Sequence, residues 1–197
     1  MIKTVTRSKR KLDHLEEVLK RPLNNADFSG VRYVHNSLPE VDLKLVDLKT
    51  NLAGINLATP FFINAITGGA AETLDVNKKL ALLCKELNMP LAVGSQAAAL
   101  ENPRLRRTYT IVREIYPEGI IFANISPAAG LEGAKAAVQM LAADALQIHL
   151  NAPQEIVMEE GERDFRGWRR NIREICSGLE VPVIVKETGF GMSFETG

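Results

Sequence analysis

"ALQIHLNAPQE", residues 145–155, opens as an apolar run and closes in groups that do not belong in a core. Ile148 and Leu150 suit a buried strand. His149, Asn151, Gln154 and Glu155 then arrive within seven positions, around Pro153. A histidine on an apolar strand is commonly satisfied by a neighbouring carbonyl, and an asparagine can simply end a strand. The alternative is a site, in which an imidazole, two amides and a carboxylate converge at a strand mouth. Spacing alone leaves the two accounts open.

Working outward, four more apolar runs of strand length appear: "PFFINA" (60–65), "PLAVGS" (90–95), "IIFANI" (120–125) and "PVIVKE" (182–187). Near-continuous hydrophobicity suits parallel strands covered on both faces. Helical stripes lie between them: Leu80, Leu83, Cys84 and Leu87; Leu105, Tyr109, Val112 and Tyr116; Leu131, Ala134, Val138 and Leu141; Trp168, Ile172, Ile175 and Leu179. The alternating unit is roughly 25–35 residues, the scale of βαβ crossovers. A parallel sheet follows, either doubly wound and open or part of a (β/α)8 barrel.

Polar residues end every run: Asn64 with Thr67, Ser95 with Gln96, Asn124, His149 with Asn151, and Lys186 with Glu187. Barrel enzymes build sites from several strand ends, whereas open sheets gather ligand at one switch point. The barrel is therefore favoured: an α/β fold, a TIM barrel of which residues 60–197 hold about the first five strands. Residues 1–59 form an extension, with a charged amphipathic helix over 8–21 and a β-hairpin within 41–60. Five strands do not close a barrel, so the chain reads as an open sheet or as part of a larger barrel.

Composition narrows the function. The 197 residues carry 24 basic and 24 acidic side chains, so no global charge draws them to nucleic acid or an anionic membrane. No apolar run is long enough to span a bilayer, and "MIKTVTRSKRK" lacks the core of a signal peptide. Cys84 and Cys176 sit far apart on apolar helical faces, which predicts free buried thiols in a reducing cytoplasm.

Other residues invite chemistry. "NAITGG" (64–69) could bring backbone N–H groups near a ring or anion, although an ordinary βα turn has the same composition. Lys186, at the end of a buried strand, needs an anionic or electron-rich partner, whether Glu187 or a ligand. Glu155 could hold Mg²⁺, which takes one or two carboxylates plus phosphate oxygens. Arg10, Lys11 and His14 lie on neighbouring helical turns and could close over a diphosphate, against the default of a solvated basic run.

The motifs "RKLDHL", "VRYVHNSLPE", "PFFINAITGG", "PLAVGSQAAAL", "GIIFANI", "ALQIHLNAPQEIVMEEGERDF" and "PVIVKETGFGMS" occur in the order seen in type 2 isopentenyl-diphosphate delta-isomerases. The chain resembles that flavoenzyme family over essentially its whole length. The resemblance implies interconversion of isopentenyl diphosphate and dimethylallyl diphosphate, with FMN, Mg²⁺ and a reductant such as NADPH, in a cytoplasmic tetramer or octamer. It implies that Arg10 and Lys11 bind the diphosphate, with His14 and His149 as neighbours. Ala65, Ile66, Thr67, Ser95, Asn124 and Lys186 would contact FMN. Ser95 and Gln96 would also touch substrate, Asn151 would support the pocket, Gln154 would be the catalytic residue beside the isoprenoid unit, and Glu155 would ligate Mg²⁺.

Three departures stand out. Ile66 replaces the methionine usual before Thr-Gly-Gly, Ala97 replaces a longer residue, and Pro153 precedes the key amide. The resemblance also implies further barrel strands beyond residue 197, and hence poor FMN binding and no activity for residues 1–197 alone. Two other readings are an FMN-dependent barrel of the 2-hydroxy-acid oxidase type and a non-catalytic half-barrel module. The oxidase calls for a histidine–arginine pair near the flavin, which no strand end here supplies.

Overall fold

The computed structural model describes residues 2–20, 29–159 and 161–197, with side chains throughout except at residues 2–8, 14 and 18. Helix α1 (Ile2–Lys20) starts earlier than the pattern predicts, and its expected last residue, 21, lies outside the described residues. A short antiparallel hairpin follows, β1 (Thr50–Leu52) and β2 (Ile55–Leu57), within the predicted 41–60 segment. Helix α2 (Thr73–Leu87), β3 (Leu91–Ala92), α3 (Ala97–Glu101), α4 (Arg107–Ile115) and β4 (Ile121–Ile125) come next. Then follow α5 (Gly130–Leu141), β5 (Ala145–Leu150), α6 (Ala152–Val157), α7 (Trp168–Gly178) and β6 (Val183–Glu187). None of the described helices is long and apolar enough to cross a membrane.

The expected TIM barrel is not the architecture that forms. The parallel strands make an open four-stranded sheet in the order β3-β4-β5-β6, beside the separate two-stranded hairpin. Residues 60–65, expected as a first barrel strand, contribute only a bridge between Ile63 and Leu91. Ile63 N–H donates to Pro90 at 3.0 Å and its carbonyl accepts from Ala92 at 2.8 Å. Pairing stops there, because the Asn64 side chain takes the next amide, Ala65 N–H, at 2.8 Å. Polar strand ends, the feature that favoured closure, arise equally well in an open sheet whose one face is polar at its C-terminal end.

Alternation along the strands divides two cores. Leu91, Val93, Ile121, Ala123, Ile125, Leu146 and Ile148 pack with residues of α2, α4, α5 and α7. Consecutive strand order with right-handed crossovers puts the connecting helices on that one face. The opposite face buries Ala92, Phe122 and Ala145 beside Ile184 and under Phe62 and the hairpin residues Leu52 and Ile55. Phe62 meets Phe122 edge-to-face, with centroids 5.5 Å apart. This second core covers only the N-terminal half of the face.

Two helical stripes differ from the reading of the sequence. Helix α2 buries Thr73, Asn77, Ala81 and Cys84, while Leu83 and Leu87 are 44% and 51% exposed. Asn77 is inside because its amide donates to the carbonyls of Thr67 (3.2 Å) and Thr108 (2.7 Å), tying the helix to both segments. Both cysteines are free, but only Cys84 is buried. Cys176 follows the buried Ile175 on α7, and the helical step of about 100° turns it to solvent.

Arg113 fixes the starts of β4 and β5. Its guanidinium donates to the carbonyls of Leu141 (2.9 Å), Pro117 (2.8 Å), Gly119 (2.7 Å) and Ala142 (2.7 Å), and to Asp144 Oδ2 (3.0 Å). The same Asp144 oxygen accepts Ile121 N–H at 2.8 Å. Arg113→Met leaves several carbonyls and a carboxylate without their donor, and should cost about 2–3 kcal/mol in urea unfolding. A loss below about 0.5 kcal/mol would show the cluster to be ordinary surface.

Candidate functional site

The uncovered C-terminal half of the sheet face floors a cleft of ≈ 580 Å³. The two-residue period selects its residues. Phe122 and Asn124 on β4, Ala145, Gln147 and His149 on β5, and Ile184 and Lys186 on β6 share the face opposite the helices. Parallel register aligns them across strands: Asn124 opposite Gln147, and His149 opposite Lys186. The first members of each series are apolar and covered, and the last are polar and border the cleft.

Most of the predicted site residues come together here. Arg10, Lys11, Ala65, Ile66, Ser95, Asn124, His149, Asn151, Gln154, Glu155 and Lys186 all line the cleft. Helix α1 delivers the basic pair against α3 and the loop after α6, where Arg10 Nη1 lies 2.6 Å from Met158 Sδ. The side chain of His14 lies outside the described residues.

Two predicted residues sit beneath the cleft instead. Gln96 is fully buried: its Nε2 donates to Ala137 at 3.0 Å and its Oε1 accepts Asn124 N–H at 2.9 Å. It braces Asn124. Thr67 is 3% exposed, and its hydroxyl has no hydrogen-bond partner among the described residues. Its carbonyl accepts Gly94 N–H at 2.9 Å, an approach that depends on glycine, since a Cβ on Gly94 would stand 2.8 Å from the Thr67 backbone.

The glycines of "TGG" serve packing rather than a ligand. Gly68 has φ 147°, and a Cβ there would lie 2.2 Å from the Tyr109 ring. The Tyr109 hydroxyl in turn donates to the Ser95 carbonyl at 2.6 Å. The turn is thus packed on a buried aromatic ring that also holds Ser95 at the cleft edge.

The segment quoted at the outset resolves into a strand and a helix. β5 ends at Leu150, and α6 starts one residue after Asn151 with Pro153 in its first turn, where the missing N–H costs nothing. Asn151 and Glu155 fall on one helical face: Asn151 Nδ2 donates to Glu155 Oε1 at 2.7 Å. Glu162 N–H donates to Glu155 Oε2 at 2.8 Å, and the Arg163 guanidinium binds the carbonyls of Glu155 and Met158. The carboxylate is therefore oriented by two donors, with lone pairs left on both oxygens. No group of three or more metal-ligating side chains gathers among the described residues, so a cation here would rest on this single carboxylate plus ligand oxygens.

Charge is unbalanced at the strand ends. Burial, then the like charges of Lys186 and Lys11, push His149 down to about 4, against the opposing effect of Glu187. Burial also lowers Lys186, opposed by Glu187. Glu187 itself points to the other face of β6, and its carboxylate accepts the Thr188 hydroxyl and the amides of Gly189, Phe190 and Gly191. Those bonds hold it at about 2. His149 is accordingly neutral near pH 7, and Lys186 is the cation of the sheet face.

Sequence reasoning missed Gln147, Met158 and Glu162. Met158 and Glu162 line the cleft because the loop after α6 folds back on Glu155. The position of Gln147 was available in principle, since a residue two before His149 on a strand shares its face.

The depressed His149 makes a pH prediction. Its unfolded value is the ordinary 6.5 and its folded value about 4, so the unfolded chain binds the proton first as pH falls. The contribution to stability is present above pH 6.5 and lost on descent towards 4. Replacing His149 with Gln should flatten that part of the stability–pH curve in chemical denaturation; an unchanged slope would contradict the burial of a neutral ring.

No protein-family model matches the chain. Over 194 residues, 98% of its length, it is 47% identical to a protein named isopentenyl-diphosphate delta-isomerase from Bacillus pumilus (strain SAFR-032). Over 190 residues, 96% of its length, it is 45% identical to proteins of the same name from Staphylococcus aureus strains JH9 and Newman. The chain spans about half the length of these curated relatives, 55% of the first and 54% of the others. By identity sustained along nearly all of its residues, the chain is a homologue of proteins named isopentenyl-diphosphate delta-isomerase.

Proposed function

We propose that the protein interconverts isopentenyl diphosphate and dimethylallyl diphosphate in isoprenoid biosynthesis, as a type 2, FMN-dependent isomerase using Mg²⁺ and a reductant such as NADPH. A cytoplasmic homo-oligomer is part of the same reading. The observation that carries it is the convergence, in one cleft, of a basic pair on α1, an oriented carboxylate on α6, and an amide, a neutral imidazole and a half-buried ammonium on one sheet face.

The residues present suit a flavin. Asn124 Oδ1, on the cleft floor, is buried without a hydrogen-bond partner among the described residues, and such a group is seldom left unpaired. Lys186 would face the electron-rich edge of the ring, Ala65 and Ile66 would support it, and Ser95 would border it. When bound in its reduced form, FMN supplies an electron-rich ring able to exchange a proton with an unactivated alkene, for which side-chain acids are poorly matched.

The chain's own groups do the rest. Arg10 and Lys11 would clamp the diphosphate through charge-assisted hydrogen bonds. Glu155, already aimed by Asn151 and Glu162 N–H, would hold Mg²⁺ with its remaining lone pairs alongside diphosphate oxygens. Binding energy from this remote end places the apolar end of the substrate, which cannot be gripped directly. Gln154 would sit beside the isoprenoid unit and orient the proton being moved. His149, neutral, can accept or donate a hydrogen bond without adding a fourth positive charge to those of Arg10, Lys11 and Lys186.

In the intact natural protein, Gln154→Ala should lower the isomerisation rate by about a hundredfold or more. Glu155→Ala should raise the Mg²⁺ and substrate concentrations needed, and both should leave the melting curve intact. Product formation from labelled isopentenyl diphosphate reads both. Full activity of the Glu155 variant at low Mg²⁺ would remove Glu155 as the metal ligand. Net oxidation of a hydroxy acid without double-bond migration would replace the proposal with the oxidase reading.

A further inference from the structure

We infer that Gln147 is a positioning residue for the turn carrying Ala65, Ile66 and Thr67, and that it acts through Asn64. The inference rests on the flavin-dependent reading above for its ligand, but not for its geometry. Gln147 is 1% exposed, on β5 between Asn124 of β4 and Ile184 of β6, and it does not line the cleft. Its Nε2 donates to Asn64 Oδ1 at 3.1 Å, across 83 residues of sequence. That same oxygen accepts Ala65 N–H at 2.8 Å.

The turn has few other attachments. Backbone bonds tie Ile63 to Pro90 and Ala92, and Thr67 to Gly94. Between those points, the described hydrogen bonds of residues 64–66 run through the Asn64 amide. Asn64 is exposed, so without a buried donor its side chain is free to rotate and release Ala65 N–H to water. Gln147 supplies that donor from the rigid middle of the sheet, where a partner loses little freedom. Ala65 and Ile66 line the cleft, so the anchor sets where the cleft wall stands.

Packing alone gives a poor account of an amide at this place. Gln147 Oε1 is buried with no hydrogen-bond partner among the described residues, a cost that an apolar side chain of the same length would avoid. An amide kept there despite that cost is better explained by the bond its nitrogen makes.

The test uses Gln147→Met, similar in length but without a donor, together with Asn64→Ala, the double variant, and Asn64→Asp, which keeps the accepting oxygen. Amide hydrogen exchange at Ala65, read in the flavin-free intact protein, should accelerate roughly tenfold in each of the first two. The double variant should be no faster than either single, because both break one linkage. Asn64→Asp should stay near the parent. Flavin affinity, read by fluorescence quenching, should weaken roughly tenfold in Gln147→Met.

Unchanged Ala65 exchange in Gln147→Met, or fully multiplicative effects in the double variant, would overturn the inference. So would unaltered flavin affinity in a protein that binds flavin. If the exchange coupling is present but the parent binds no flavin, the anchoring role stands and the functional reading falls.

Discussion

Every side chain of a β-strand must go to one of two faces in strict alternation, and this protein is organised around that constraint. One set of strand residues is apolar throughout and lies beneath α2, α4, α5 and α7. The other set changes character partway along the strands, from Phe122 to Asn124, from Ala145 to Gln147 and His149, and from Ile184 to Lys186. Phe62 and the hairpin cover the apolar half of that second face. What is left uncovered is, by the same alternation, the polar half, and α1 and α6 bring Arg10, Lys11, Gln154 and Glu155 over it.

The strands and helices were readable where periodicity was strong. β4, β5 and β6 fall within their predicted runs, and the predicted stripes bury Tyr109 and Val112 on α4, Ala134 and Leu141 on α5, and Ile175 on α7. Readings failed where a single polar contact outweighed hydrophobicity. Asn77 turns α2 inward through two carbonyl bonds that no periodicity reveals. The run at 60–65 is as apolar as its neighbours, yet the Asn64 side chain takes the amide that would continue the ladder. The barrel expectation failed for a related reason. Polar strand ends report a polar face, and such a face does not require the sheet to close.

Residues far apart in sequence gather at one cleft even where the fold was misread. Eleven of the predicted site residues line one cleft, although they come from α1, the turn after residue 63, four strands or strand ends, and α6. Gln96 and Thr67 show the limit of motif reasoning: each adjoins the cleft in sequence but is turned beneath it, Gln96 to brace Asn124 and Thr67 to meet Gly94. The cations Arg10, Lys11 and Lys186 border this cleft with the carboxylates of Glu155 and Glu162, and burial, helped by Lys186 and Lys11, keeps His149 neutral. A diphosphate with its metal at one end and an electron-rich ring at the other would meet complementary charge at both.

The central claim is that the polar half of the sheet face, opposite the helices, is where cofactor and substrate meet. A crystal structure of the intact protein with FMN, Mg²⁺ and isopentenyl diphosphate tests it most directly. The account predicts the flavin ring against Ala65 and Ile66 with Lys186 at its edge, and the diphosphate between Arg10, Lys11 and the Glu155-bound metal. Ligand density on the helical side of the sheet, or a diphosphate remote from Arg10 and Glu155, would contradict it.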